Sequence, residues 1–172
     1  KGFLNPRSVM LFREYCDANG IKIIVDPKPL NGKPEKMDKY IGCYGFKPNL
    51  YEAEKISGIN FDGRNIDRII RKCFEILQPK GFLLITMGEE GMYILDANEK
   101  SPEYIPSIPI HNPDIIGAGD TVIASLSLAL AAGAIPYDAA NLANYAASIA
   151  VSKPGTATVL RKELVDLIEE KD

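Results

Sequence analysis

Three short apolar runs, each cut off by a residue that cannot continue a strand or turns the chain, limit most strongly what this sequence can fold into. Ile21 to Asp26 stops at Pro27, Cys43 to Lys47 stops at Pro48, and Phe82 to Met87 stops at Gly88. The first and third read as strands buried on both faces, the pattern of a parallel sheet, and the second as a short strand beside them. Segments of helical period separate them. Asn5-Pro6 is an N-cap followed by a first-turn proline, and Val9, Phe12 and Cys16 with Met10, Leu11 and Tyr15 recur at helical spacing before Gly20. Asn49 opens a second helix, and Asp62 to Leu77 carries Ile66, Ile69, Ile70, Cys73, Phe74 and Leu77 on one stripe. Between these, Asn31 to Pro34 is expected as a loop and Glu35 to Tyr40 as a short helix.

The later part of the chain changes pattern. Met92 to Asp96 and Tyr104 to Ile110 are expected as antiparallel strands around a polar turn at Ala97 to Lys100. Three helices follow, Gly117 to Ala132, Tyr137 to Ser152 and Arg161 to Lys171, the first two apolar on most faces and so expected to be buried. Strand and helix alternation ending in a short meander predicts an α/β layered sheet with a mixed edge.

Composition excludes several classes. With 172 residues the chain can bury a core without disulfides or structural metal, and a single domain is expected. Twenty Lys and Arg against 23 Asp and Glu, with no run of one sign, argue against a nucleic-acid or anionic-membrane partner. Cys16, Cys43 and Cys73 are odd in number and widely spaced, which predicts reduced, buried thiols. His111, the single histidine, has no ligand-spaced partner and reads as a loop residue. The longest stretch in the helical second half without charged or strongly polar groups, Val122 to Ala134, falls short of the ~20 residues that span a bilayer. No signal sequence is visible at the start, so a soluble, cytoplasmic protein is expected. The sequence opens on Lys1-Gly2-Phe3 rather than Met, which suggests a piece of something longer.

The strongest chemical signal is Asp114-Ile115-Ile116-Gly117-Ala118-Gly119-Asp120-Thr121. Two glycines bring a loop tightly into the start of a helix, where unpaired N–H groups and the positive end of the helix dipole make an anion site suited to phosphate. Asp120 beside such a site is placed to act as a general base toward a hydroxyl attacking that phosphate. The plainer reading is glycine for backbone freedom and aspartate as a favourable charge at a helix start. Asn49 and Glu52 likewise fit a capping box, Asn-x-x-Glu, as well as a polar pair on one helix face. Lys28 follows Asp26-Pro27 at the C-terminal end of a strand, where open α/β sheets bind ligands, and is expected to meet a phosphate of substrate or nucleotide.

Five segments in fixed order carry a family resemblance: Val25-Asp26-Pro27-Lys28, Lys47-Pro48-Asn49-Leu50-Tyr51-Glu52-Ala53, Thr86-Met87-Gly88-Glu89-Glu90-Gly91, the Asp114 to Asp120 signature, and Lys153-Pro154-Gly155-Thr156-Ala157-Thr158-Val159 closing the stretch from Asn144. In these the chain resembles the ribokinase-like (PfkB) carbohydrate kinases. The resemblance implies a three-layer α/β/α fold, its sheet mainly parallel with antiparallel edge strands, of which residues 1–172 form the C-terminal, nucleotide-binding portion. Family members carry more sheet, most sugar-binding residues and a β-sheet lid before this point, which makes a homodimer or a complementing N-terminal segment the expected partner.

Carried over residue by residue, the resemblance implies Asp120 as base and the N–H groups of Gly117, Ala118 and Gly119 as the phosphoryl anion hole. Asn49 and Glu52 would organise magnesium through its waters. Lys47, Thr86, Gly88, Gly91, Asn144 and Gly155 would serve ATP, with Asn144 near the adenine. Asp114, with carbonyls of Ile116, Ala150, Lys153 and Gly155, corresponds to a monovalent cation loop that takes K+, although Ile116 stands where Thr is frequent and Val159 offers no side-chain oxygen. The cofactors implied are ATP and Mg2+. The implied substrate is a sugar or sugar phosphate. The Val-Asp-Pro-Lys, Gly-Ala-Gly-Asp-Thr-Val-Ile-Ala and Gly-Thr-Ala-Thr-Val segments most resemble the branch that phosphorylates heptose 7-phosphate on the way to ADP-heptose and lipopolysaccharide core. Kinases for another sugar or a nucleoside, and a catalytically silent nucleotide-binding or dimer-forming module, are the alternatives.

Overall fold

The computed structural model describes residues 4–28 and 37–170. The expected loop at Asn31 to Pro34 and the first residues of the expected helix at Glu35 lie outside them; Met37–Tyr40 form one 3-10 turn. The fold is α/β with a mixed five-stranded sheet in sequential strand order, β1 to β5. Contacts divide the chain into two compact units, Lys1–Thr86 with Leu95–Pro102, and Met87–Ile94 with Glu103–Asp172.

The first unit holds helix α1 (Pro6–Ala18), strands β1 (Ile24–Val25) and β2 (Gly45–Phe46), helices α2 (Leu50–Ser57) and α3 (Ile66–Leu77), and strand β3 (Phe82–Thr86). The three strands run parallel, Ile24 beside Gly45, Val25 beside Phe46, Gly45 beside Phe82 and Phe46 beside Leu83. As its composition demands, β3 is buried from Phe82 to Ile85. The amphipathic stripe of α3 packs inward through Ile66, Ile69, Ile70, Cys73 and Leu77. Asn5 caps α1 by accepting the Ser8 N–H at 3.0 Å, with Pro6 at the first helical position.

Two expectations need correction here. Regular pairing in β1 and β2 spans two residues each, shorter than the apolar runs that contain them. Helix α3 starts at Ile66 rather than Asp62, because the Asp62 carboxylate accepts the N–H groups of Arg64 and Asn65 and holds a turn instead. On α1 only Val9 and Cys16 are buried, while Met10, Leu11, Phe12 and Tyr15 are each more than half exposed.

The second unit contains most of β4 (Met92–Asp96), strand β5 (Glu103–Ile105), and helices α4 (Ala118–Ala131), α5 (Pro136–Val151) and α6 (Arg161–Glu169). β4 and β5 are antiparallel, and the cross-strand rings of Tyr93 and Tyr104 lie 4.9 Å apart. The strand expected to reach Ile110 ends at Ile105, since Pro106 and Pro109 have no N–H for a ladder. Helices α4 and α5 pack together, α5 presenting buried Ala139, Ala140, Ala143 and Ala146. α4 is not buried on most faces as expected: Leu128 is 73% exposed. All three cysteines are free and buried, in line with the sequence. Among the described residues no helix is long and apolar enough to cross a membrane, and no His, Cys, Asp and Glu cluster forms a metal cage.

Candidate active site

In the first unit the C-terminal ends of the parallel strands gather four charged side chains. The β1–β2 register that sets Val25 beside Phe46 brings the next residues, Asp26 and Lys47, side by side, and the Lys47 N–H donates to the Val25 carbonyl at 2.9 Å. Lys47 is only 2% exposed, and its Nζ stands 3.1 Å from Asp26 Oδ1. The approach is off the direction of a hydrogen bond, so Oδ1 is a buried acceptor with no hydrogen-bond donor among the described residues. Lys28 Nζ lies 3.1 Å from Asp26 Oδ2 and 3.8 Å from Glu52 Oε1. Lys47 is therefore a buried, paired ammonium rather than a solvated surface lysine.

Asn49 and Glu52 form a complete capping box on α2. Asn49 Oδ1 accepts the Glu52 N–H at 2.9 Å, and Glu52 Oε2 accepts the Asn49 N–H at 2.8 Å. Burial pushes the Glu52 carboxyl above its ordinary range, against the opposing pull of the Asn49 N–H and Lys28. The adjoining strand end is tied in: Thr86 donates its N–H to Pro48 at 3.1 Å and pairs with Asn49 in an isolated parallel bridge. Lys28, Lys47, Asn49, Glu52 and Thr86 thus converge. Asp26 joins them as the shared partner of both lysines, a role signalled in the sequence only by its place at a strand end before Pro27.

This cluster sets two carboxylates against two ammonium groups, so its formal charge cancels. A bare divalent cation gains little from such a set. The donors suit magnesium that arrives on nucleotide phosphates and keeps most of its waters, with Glu52 as an outer acceptor.

The second unit carries the glycine signature. Gly117 adopts φ 81°, a left-handed conformation open to glycine, and turns the chain into α4. The Ala118 N–H donates to Ile115 at 3.2 Å, whereas among the described residues none accepts from the N–H groups of Gly117, Gly119 or Asp120. Of the N–H groups expected to form an anion hole, those of Gly117 and Gly119 are left without an acceptor among the described residues, as is that of Asp120, while that of Ala118 is engaged. The Asp120 side chain is exposed in that same turn.

Asp114 ties the loop before α4 to the segment after α5. Its carboxylate accepts the Gly155 N–H at 2.7 Å and the Ile116 N–H at 3.2 Å, and these bonds hold its pKa below the ordinary carboxylate value. The Asp114 N–H donates to the Val151 carbonyl at 2.8 Å. Lys153 bonds the Thr158 carbonyl at 2.9 Å and Glu163 at 2.7 Å, and its N–H donates to the Ala150 carbonyl at 3.2 Å. Part of the carbonyl set expected around a monovalent cation is thus engaged within the protein.

Asn144 is buried and donates to the Pro106 carbonyl at 2.8 Å, so its amide has a partner without a ligand. Gly88, at φ 60°, has open space beside it, and Gly91, at φ 86°, lies against the Ile105 carbonyl where a Cβ would overlap. Gly88 keeps room for close approach of a ligand; Gly91 is required by the backbone packing.

Fold and signature together define a ribokinase-like α/β protein: the chain superposes on the structure of Arabidopsis thaliana ribokinase complexed with ribose and ATP with a TM-score of 0.83, at 21% identity, covering 96% of this chain and 53% of that one. It also matches the Escherichia coli phosphofructokinase-2 structure in complex with potassium, TM-score 0.80, 16% identity, 97% and 53% covered. The chain belongs to the pfkB family of carbohydrate kinases, whose family model matches residues 3–163. Curated relatives include the bifunctional protein HldE of Pelobacter propionicus, 36% identical over 170 residues, and that of Caulobacter sp., 38% identical over 168. The match takes in 98% and 97% of this chain and 33% of each relative, so the chain spans about a third of their length.

Proposed function

We propose that the chain is the nucleotide-binding and base-bearing part of a kinase that moves the γ-phosphoryl group of magnesium ATP onto a heptose 7-phosphate hydroxyl, giving the 1,7-bisphosphate for lipopolysaccharide core synthesis in the cytoplasm. The observation that carries it is the start of α4, where Asp120 stands exposed beside the unaccepted N–H groups of Gly119 and Asp120. Phosphoryl transfer needs positioning and charge stabilisation more than covalent help. The N–H groups bind the transferring phosphoryl, and the Asp120 carboxylate holds and then accepts the proton of the acceptor hydroxyl. Lys28, the exposed lysine of the cluster, reaches toward phosphates, and Lys47, buried against Asp26, fixes the strand end from which it does so. Asn49 and Glu52 would hold magnesium through its waters, and that ion would supply charge neutralisation on the nucleotide phosphates. Asp114 keeps the loop that presents Gly117 in place through the Gly155 and Ile116 N–H groups, and with the carbonyls left open nearby it would hold a monovalent cation that would supply positive charge to that loop.

Support for the heptose acceptor is the match of nearly the whole chain, at 36 to 38% identity, to proteins named HldE. Isothermal titration of magnesium ATP into the chain tests the nucleotide part. Saturable binding that weakens at least tenfold in Gly119→Leu is expected, since a bulky side chain there shields the first-turn donors. Absence of binding at millimolar nucleotide would mean either that the rest of the fold completes the site or that the kinase reading describes ancestry only, and would exclude a silent nucleotide-binding module.

A further inference from the structure

The loop of residues 152–160, between α5 and α6, reaches the start of α4 at two places. The Gly155 N–H donates to Asp114 Oδ2 at 2.7 Å, and a Cβ added at Gly117 would meet Thr156 Cγ2 at 3.5 Å. Asp114 in turn accepts the Ile116 N–H, so the backbone that turns into α4 at Gly117 rests on this loop. Yet the loop has no regular secondary structure of its own between Val151 and Arg161.

Lys153 and Glu163 hold its shape. Lys153 Nζ donates to the Thr158 carbonyl at 2.9 Å within the loop and to Glu163 Oε2 at 2.7 Å on the first turn of α6. Glu163 Oε2 also accepts the Leu160 N–H at 2.8 Å, which caps that helix. One ammonium thus ties the two ends of the loop together, and one carboxylate gathers both the ammonium and the last N–H before α6. The two side chains are 29% and 34% exposed, so solvent screens their charge attraction. What the pair supplies is direction: three bonds converge where the backbone makes none of its own. Neither side chain has a part in binding the phosphoryl group or moving its proton.

We propose that Lys153 and Glu163 are positioning residues: they clamp the 152–160 loop so that Gly155 holds Asp114, and Asp114 holds the start of α4 in the geometry that phosphoryl transfer uses. The catalytic consequence rests on the kinase reading, whereas the clamp does not. A cap on α6 and nothing more is the other role open to Glu163. The two roles separate at Lys153, because Lys153→Met leaves the bond from the Leu160 N–H to Glu163 in place.

Residue-resolved amide hydrogen exchange on the 172-residue chain reads the clamp without any substrate. In Lys153→Met and in Glu163→Ala the Gly155 amide should exchange at least about tenfold faster, the scale of losing hydrogen bonds to a charged group. Lys153→Arg, which keeps a donor for Thr158 and Glu163, should stay near the parent. So should Asp166→Ala, which removes a carboxylate from the same helix outside the clamp. Circular dichroism of Lys153→Met should match the parent, because the α6 cap remains. Turnover is then measured in the chain completed by the rest of the kinase fold, with magnesium ATP and heptose 7-phosphate. There kcat of Lys153→Met should fall at least about tenfold with the KM for ATP within about threefold, since misplacement costs most in the transition state, and Lys153→Arg should recover most of the loss. Unaltered Gly155 exchange in Lys153→Met would overturn the clamp. Released exchange with unchanged kcat, or unfolding of the chain by Lys153→Met, would overturn the positioning role. A completed parent without turnover would fail the kinase reading instead, and exchange at Gly155 would still decide the clamp.

Discussion

Removing the carboxylate of Asp26 should cost far more than removing the ammonium of Lys47. The two stand 3.1 Å apart, with side chains 14% and 2% exposed. Their direct attraction is about 5 kcal/mol at an effective dielectric of 20. Much of that is offset by desolvation, so the pair adds little net stability, but an orphaned buried charge is penalised by about 3–5 kcal/mol. In Asp26→Ala the Lys47 ammonium stays buried with, among the described residues, the more distant Glu52 to balance it, and a loss of about 3 kcal/mol is expected. In Lys47→Met the Asp26 carboxylate keeps Lys28 at 3.1 Å, and the loss should be about 1 kcal/mol. The double variant removes both charges and should recover most of the Asp26→Ala loss. Urea unfolding followed by circular dichroism reads this directly: with a slope near 2 kcal/mol/M, Asp26→Ala lowers the midpoint by about 1.5 M. A loss below about 1 kcal/mol for Asp26→Ala, or additive losses in the double variant, would refute the buried-pair reasoning.

Gly91→Ala should destabilise by about 3 kcal/mol or more, because a Cβ would overlap the Ile105 carbonyl at a positive φ; a melting temperature within a degree of the parent would contradict this. Asp114 is held below its ordinary value of 3.8 by the Gly155 and Ile116 N–H groups. Its depressed pKa gives stability that is present above 3.8 and lost as pH falls through the folded value. The stability difference between the parent and Asp114→Asn should therefore shrink as unfolding is measured from pH 6 down to pH 3. A gap that widens with acid would exclude the assignment.

The alternation of helix and strand, the caps at Asn5 and Asn49 and the buried run of β3 were legible because each is a local pattern. Asn49 with Glu52 forms the capping box that its spacing implied. The burial of Lys47 was not legible: its partner Asp26 is distant in sequence and meets it only through the β1–β2 register. Nor could the sequence show that the Asn144 amide finds a partner within the chain, the Pro106 carbonyl. The helical period of Leu11, Phe12 and Tyr15 was visible, but periodicity cannot tell a buried apolar residue from an exposed one. At β5 the prolines were in plain view, and their missing N–H groups outweighed the apolar run that contains them.

The central claim is that Asp120 at the start of α4 is the base for phosphoryl transfer. Its most direct test is steady-state turnover of Asp120→Asn with magnesium ATP and heptose 7-phosphate, in the chain completed by the rest of the kinase fold, beside ATP affinity by titration. Turnover should fall at least ~100-fold while ATP affinity stays nearly unchanged, because a general base acts chiefly in the transition state. A loss below about tenfold, or a matching loss of ATP affinity, would contradict the assignment.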